Sequence, residues 1–257
     1  MIQIFYEGIT VPVNHHKIVA TAPLPMRIEF VTCVSDIATL QKQLLRSPCL
    51  QSGGYPLHAV FNAANAAQAF NRLANLANVD WLVWVHQDVF LPETWMQQFT
   101  DELHYATEQW PDLAVAGVYG VSGRGADVRR AGHVLDRGTL LKHEQALPCL
   151  AESLDELLLA VRPSSGLQMD PRLGYDFYGT DLVLQAQNKG LNSVVIDAYC
   201  EHWSDTSSTS RPSERLKNRL IASAQVFEDK WRHRLPIKTS CFHIDRPGDV
   251  QKFLENL

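Results

Sequence analysis

Two short apolar runs, IEFVTCV at 28–34 and WLVWV at 81–85, constrain the fold of this chain more than any other feature. They lack the strict polar alternation of a half-exposed strand and suit strands buried on both faces. Strands of that kind need helices on either side of their sheet. Helical spacing fills the intervals. Leu40, Leu44 and Leu45 share one side after the first run, and LHAVF at 57–61 reads as a further strand. An alanine-rich stretch from Asn62 to Asn78 places Phe70, Leu73 and Leu76 at helical spacing. Trp95, Phe99, Leu103, Ala106 and Trp110 then recur at i+4 and i+3, a helix with a wide aromatic face. The alternation predicts an α/β sandwich around a mostly parallel central sheet flanked by helices.

Further on, LAVAGVYGV at 113–121, DELLLAV at 155–161 and LNSVVIDAY at 191–199 read as strands. Between the first two, residues 122–152 are polar and rich in glycine and arginine, and read as a long excursion with a small hairpin. A short helix from Asp181 stops at Gly190, a residue suited to a C-terminal cap. A final helix within 211–231 carries Leu216, Leu220, Phe227 and Trp231 on one face, and either closes over the site or forms an oligomer contact. The expected organisation is an N-terminal arm or edge hairpin at 1–27, one domain over 28–210, and a C-terminal helix and tail over 211–257 packed on it.

A chain of 257 residues can bury a sizeable core. Its net charge of -5 is spread without a Lys/Arg stripe, which argues against nucleic-acid binding. Cys33, Cys49, Cys149, Cys200 and Cys241 form no CxxC pair and read as reduced thiols. No apolar run reaches the length of a membrane span. The expectation is a soluble, cytoplasmic protein, or one that reaches a membrane only peripherally.

In open α/β sheets ligands gather beyond the carboxyl ends of the strands. His86 and Asp88 stand just past WLVWV, and their i, i+2 spacing turns both the same way if the strand continues. They can hold a divalent cation, or Asp88 caps a turn and His86 is a hydrogen-bonded rim residue. Asp36, past the first strand, accepts either from a nucleobase or from the next helix's N–H groups. Asn71, inside the alanine-rich helix, touches ligand or faces solvent. Asp170, Asp176 and Asp181 crowd one aromatic, glycine-containing loop, and Asp181 is either an N-cap or a general base held on a rigid element. His202 in CEHWS is a structural imidazole or a metal ligand; Mn²⁺ tolerates that donor more readily than Mg²⁺. His15–His16 and His133 are weaker candidates. Arg124, Arg129 and Arg130 can meet phosphate or simply solvate a loop. No GxGxxG, GxxxxGK[ST] or GxSxG occurs, which disfavours a Rossmann cofactor site, a P-loop and a nucleophile elbow.

In order, FVTCVSD, FNRLANLANVDWLVWVHQDVFLPETW and DFYGTDLVLQAQNKGLNSVVIDAYCEHWS resemble the family 2 glycosyltransferases. More narrowly, they resemble the GT-A-like domain of the streptomycin biosynthesis protein StrF and its relatives, over roughly residues 28–204. The resemblance implies a GT-A-like nucleotide-diphospho-sugar transferase fold, a UDP- or GDP-sugar donor, a glycan or small hydroxylated acceptor, and Mn²⁺ or Mg²⁺. It implies that Asp36 reads the base, that Asn71 lies on the donor side, and that His86-Gln87-Asp88 stands for the Asp-x-Asp metal motif. It further implies His202 as a metal ligand and Asp181 as the catalytic base of an inverting displacement. Two positions depart from the family pattern: His86 replaces the first acid of the metal motif, and Thr180 replaces the acid before Asp181. The alternatives from other classes are a nucleotidyltransferase, a non-catalytic nucleotide-sugar or glycan-binding domain, and a purely structural partner domain.

Overall fold

The computed structural model describes residues 26–76, 78–123, 125–204 and 212–257. His15, His16, Arg124 and the expected arm up to residue 25 lie outside them. Twelve strands form one sheet: β1 (Ile28–Val34), β2 (Leu57–Phe61), β3 (Trp81–Val85), β4 (Val89–Phe90), β5 (Leu113–Gly117), β6 (Tyr119–Ser122), β7 (Arg129–Asp136), β8 (Thr139–Lys142), β9 (Cys149–Leu154), β10 (Leu158–Val161), β11 (Asn192–Val195) and β12 (Cys200–His202). The helices are α1 (Ile37–Lys42), α2 (Pro48–Gln51), α3 (Ala66–Leu76), α4 (Trp95–Gln109), α5 (Tyr178–Asn188), α6 (Glu214–Lys230) and α7 (Asp249–Glu255). A small pair, β13 (Ile237–Lys238) and β14 (His243–Ile244), stands apart.

The strand order is β2-β1-β3-β10-β5-β11-β9-β6-β7-β12-β4, with β8 paired to β7. Four pairings are parallel: β1 with β2, β1 with β3, β5 with β11, and β7 with β12. The other seven pairings are antiparallel. The mostly parallel, GT-A-like sheet expected from the sequence is therefore corrected to a mixed sheet. The cause is connection length, since a parallel return needs a dozen or more residues. The crossovers through α1–α2 and α3 supply that between the first three strands. From residue 119 onward the links shorten. The turn Arg137–Gly138 has both residues at positive φ, 49° and 79°, which suits a two-residue hairpin between β7 and β8. The stretch read as an excursion thus holds β7 and β8 and enters β9. Its β7 residues run from exposed at Arg129 and Arg130 to partly buried at the far end in an irregular pattern, unlike the all-buried β3.

The first two apolar runs behave as strands buried on both faces. Phe30, Trp81 and Val83 join Trp95, Phe99 and Leu103 on one side. Val31, Leu82 and Trp84 join Phe70, Tyr178 and Leu182 on the other. Local chemistry starts the helices. Asn65 accepts from Gln68 N at 2.8 Å, and the Gln68 amide oxygen accepts from Ala64 N at 2.6 Å, a capping box in front of α3. A third cluster joins Leu173, Phe177 and Leu184 to Phe227 and Trp231 of α6 and to Val250 and Leu254 of α7. Among the described residues no helix is long and apolar enough to cross a membrane.

Candidate metal centre and its cavity

β3 ends at Val85, and His86 N donates to Leu157 O at 3.0 Å, extending the pairing by one residue. The chain then reverses: Val89 N donates to His86 O at 3.2 Å. Strand geometry does not persist through His86 and Asp88, and a turn presents them instead. Gln87, between them, accepts from Ser35 N at 3.0 Å and Asp36 N at 3.1 Å, and donates to Ser35 Oγ at 2.8 Å. One side chain thereby ties the carboxyl end of β1 to that of β3.

The partners arrive by register. β4 runs antiparallel to β12, which sets Val89 opposite His202, and Trp203 N donates to Asp88 O at 2.9 Å. β12 runs parallel to β7, which sets His202 beside Asp136. His202 Nδ1 lies 2.8 Å from an Asp136 oxygen, and its Nε2 lies 3.4 Å from Asp88 Oδ1. One ligand atom each from His86, Asp88 and His202 falls within 4.8 Å of the others. Ligands about 2.1 Å from one ion stand at most about 4.2 Å apart, so the set needs only a small contraction to close on a cation. Two imidazoles and one carboxylate suit Mn²⁺ or another transition ion better than Mg²⁺. Asp136, holding the imidazole from behind, is the carboxylate–histidine arrangement that orients metal ligands.

The electrostatics agree. Burial lowers the His86 pKa, only partly opposed by Asp88, and keeps that imidazole neutral. Its Nε2 lies 2.9 Å from Tyr178 Oη, which also accepts the Trp84 indole N–H at 3.0 Å. Burial works against a charged His202, yet Asp136 and Asp88 outweigh it and push the group up to about 10. Burial raises both carboxyls, but His202 with His86 holds Asp88 below its usual value, and His202 with Arg137 does so for Asp136. An imidazolium thus bridges two carboxylates, and a metal ion would replace its Nε2 proton.

Asp36, at the same sheet edge, caps α1: its oxygens accept from Ala38 N, Thr39 N and the Thr39 hydroxyl. Asn71 exchanges two hydrogen bonds with the Met169 backbone, at 2.8 and 2.9 Å. Asp181 is 0% exposed, in the first turn of α5. Lys230 Nζ at 2.7 Å, Trp231 Nε1 at 2.8 Å and Gln185 Nε2 at 2.6 Å surround its carboxylate. Asp170 and Asp176 are also partnered, the first by Arg172 and Lys230 and the second by Arg219 and Ser223.

A cavity of about 640 Å³ opens beside the centre, with His202 and Asp136 on its wall. Asp155, Glu156, Asp176 and Thr180 line it as well, whereas Asp181 does not. Asp155 accepts from Ser240 Oγ at 2.8 Å and Leu157 N at 3.2 Å. The Glu156 carboxylate accepts from Gly179 N at 3.3 Å, through Oε1. Burial, then the charges of Asp155 and Asp176, push its carboxyl well above the usual range. Sequence reading missed Asp136, Glu156 and Tyr178. The Asp-Arg-Gly turn after VL135 and the Asp-Glu pair opening DELLLAV were the available signals.

No protein-family model matches the chain. A protein of Fuscovulum blasticum described as "ATP synthase subunits region ORF 6" is 29% identical over 127 residues, 48% of this chain and 51% of that one. The match spans about half of that relative's length. Among solved structures, the mannosyltransferase PcManGT from Pyrobaculum calidifontis, in complex with GDP-Man and Mn²⁺, superposes with a TM-score of 0.51 at 10% identity, covering 91% of this chain and 69% of that chain. A197 from STIV gives a TM-score of 0.45 at 12% identity, over 70% and 87%. At 10% identity the first likeness is one of fold: the chain is distantly similar in structure to a nucleotide-sugar glycosyltransferase.

Proposed function

We propose that this chain is a divalent-metal-dependent transferase that moves a sugar from a nucleoside-diphosphate donor, UDP or GDP, to an acceptor hydroxyl. The observation that carries this reading is the three-ligand cluster of His86, Asp88 and His202 beside a cavity of about 640 Å³. The fold likeness to a mannosyltransferase solved with GDP-Man and Mn²⁺ supports it, as does the family 2 resemblance of the motifs between residues 28 and 204.

In this reading His86, Asp88 and His202 hold the cation, which supplies charge neutralisation to the departing diphosphate. Asp136 fixes the His202 ring by its Nδ1 and presents Nε2 to the centre. Tyr178 and Trp84 fix His86, and Gln87 holds the turn against the Ser35–Asp36 edge where the nucleoside would lie. The acceptor hydroxyl attacks the anomeric carbon from the face opposite the diphosphate, which inverts that carbon, and passes its proton to a carboxylate on the cavity wall.

The test is calorimetric titration with GDP and UDP, with and without Mn²⁺, on the wild type and Asp88→Ala. Metal-dependent binding lost in the variant supports the reading, and no binding of either nucleotide by the wild type sinks it. One observation favours a second reading: two histidines and one carboxylate are also the ligand set of non-haem iron oxygenases. Oxygen consumption that requires Fe²⁺, with no nucleotide binding, would select it.

A further inference from the structure

We propose that Glu156, rather than Asp181, is the carboxylate that takes the acceptor's proton; this rests on the transfer reading above. Glu156 follows β9 and reaches the cavity at the amino end of α5. Its Oε1 is fixed by the Gly179 N–H, and beyond that and its own backbone N–H no group among the described residues donates to its carboxylate. The other carboxylates of the cavity are engaged. Asp136 is held by His202 and Arg137, Asp155 by Ser240 and Leu157 N, and Asp176 by Arg219 and Ser223. Glu156 is therefore the acid on this wall whose carboxylate no other side chain among the described residues holds.

Position supports the same assignment. The residue after Glu156, Leu157, accepts the backbone N–H of the metal-cluster residue His86 at 3.0 Å. The Glu156 carbonyl lies 3.5 Å from the Tyr178 hydroxyl that abuts the His86 ring. Glu156 and His202 line one cavity, so an acceptor there meets the acid and the centre together. Gly179 makes the approach feasible, because a Cβ at that position would fall 2.4 Å from Leu154 O and 3.4 Å from Glu156 Cγ. Asp181 lies beneath this surface with three donors on its carboxylate, and Thr180 takes the cavity-facing place beside it.

The step balances without another reactant. The acceptor O–H bond breaks and its proton passes to Glu156 Oε2. The acceptor oxygen's electron pair forms the bond to the anomeric carbon. The bond from that carbon to the diphosphate breaks, and its pair leaves with the nucleoside diphosphate.

The experiment uses the whole chain with Mn²⁺, GDP-mannose or UDP-glucose, and glycerol as the hydroxyl acceptor. Nucleoside diphosphate release and calorimetric binding of GDP or UDP are measured on wild type, Glu156→Gln, Glu156→Ala and Asp181→Asn. The expected result is that Glu156→Gln binds the diphosphate as the wild type does but releases it about 10²- to 10⁴-fold more slowly. Added formate should restore part of the rate in Glu156→Ala, which a purely structural role would not allow. Release by Glu156→Gln at the wild-type rate overturns the assignment. So does Asp181→Asn melting like the wild type while losing the rate. Wild type that binds diphosphate but never releases it also overturns it. If the wild type binds no diphosphate at all, the transfer reading itself fails and this inference falls with it.

Discussion

The parallel unit β1–β3 and the mixed part of the sheet around β7, β12 and β4 feed the same centre in different ways. The parallel unit delivers residues by where its strands stop: Ser35–Asp36 after β1, and His86–Asp88 after β3. The mixed part delivers them by register: His202 beside Asp136 on a parallel neighbour and opposite Val89 on an antiparallel one. Placement by strand end depends on a few adjacent residues. Placement by register depends on pairings between segments far apart in the chain. The lesson is that a metal cluster can be half local and half non-local in origin, with its two halves failing differently under mutation.

The largest expected effect concerns α5, the helix that packs on β9 and β11. Asp181→Ala leaves the Trp231 indole N–H without its buried acceptor and Lys230 with Asp170 as its remaining partner, which costs about 3 kcal/mol. Chemical denaturation of the variant reads this directly. A loss below about 1 kcal/mol would mean that α5 is anchored mainly by the third apolar cluster instead.

Two substitutions then weigh the halves of the centre against each other. Asp88→Ala, on the parallel side, should weaken Mn²⁺ binding about 100-fold or more, because it removes the only carboxylate among the three ligands. Asp136→Asn, on the register side, should weaken it by about 10- to 100-fold, the usual cost of losing the group behind a ligating histidine. Mn²⁺ titration followed by electron paramagnetic resonance gives both. Equal affinity for wild type and Asp136→Asn would break the comparison, by showing that register contributes nothing to the centre.

This division explains what the sequence disclosed. β1 and β3 are legible because IEFVTCV and WLVWV are apolar along their length, and His86 and Asp88 because they follow such a run at once. His202 was visible as a histidine after a strand, but its neighbour Asp136 was not. Asp136 ends RRAGHVLD, a half-exposed strand whose burial pattern is irregular, so that stretch looked like loop. A sheet partner cannot be read from either segment alone. Asp36 and Asn71 were legible as polar groups at useful places, and both have backbone partners. Asp181 stood out by its position in the loop, but its burial against Lys230 and Trp231 depends on α6, about fifty residues further on. The mixed sheet escaped for the same reason as Asp136: short turns after residue 119 set strand direction, whereas apolar runs set only strand existence.

The smallest expected effect is a pH dependence. Arg172, then Lys230, hold the Asp170 carboxyl below its usual value. A depressed carboxyl contributes stability above the unfolded value of about 4, lost as pH falls through the lower folded value. Arg172 is largely exposed, so the contribution is about 1 kcal/mol or less. Denaturation midpoints between pH 6 and 2 should fall less steeply for Asp170→Asn than for the wild type, and parallel curves would contradict this.

A turn after β3 and a histidine from β12 are placed to hold one cation together. Pulsed electron paramagnetic resonance of the Mn²⁺-loaded chain tests it most directly, because it detects imidazole nitrogens bound to the ion. Couplings from two histidines are expected, one lost in His86→Ala and the other in His202→Ala. Bound Mn²⁺ with no nitrogen coupling, or couplings unchanged in both variants, would contradict it.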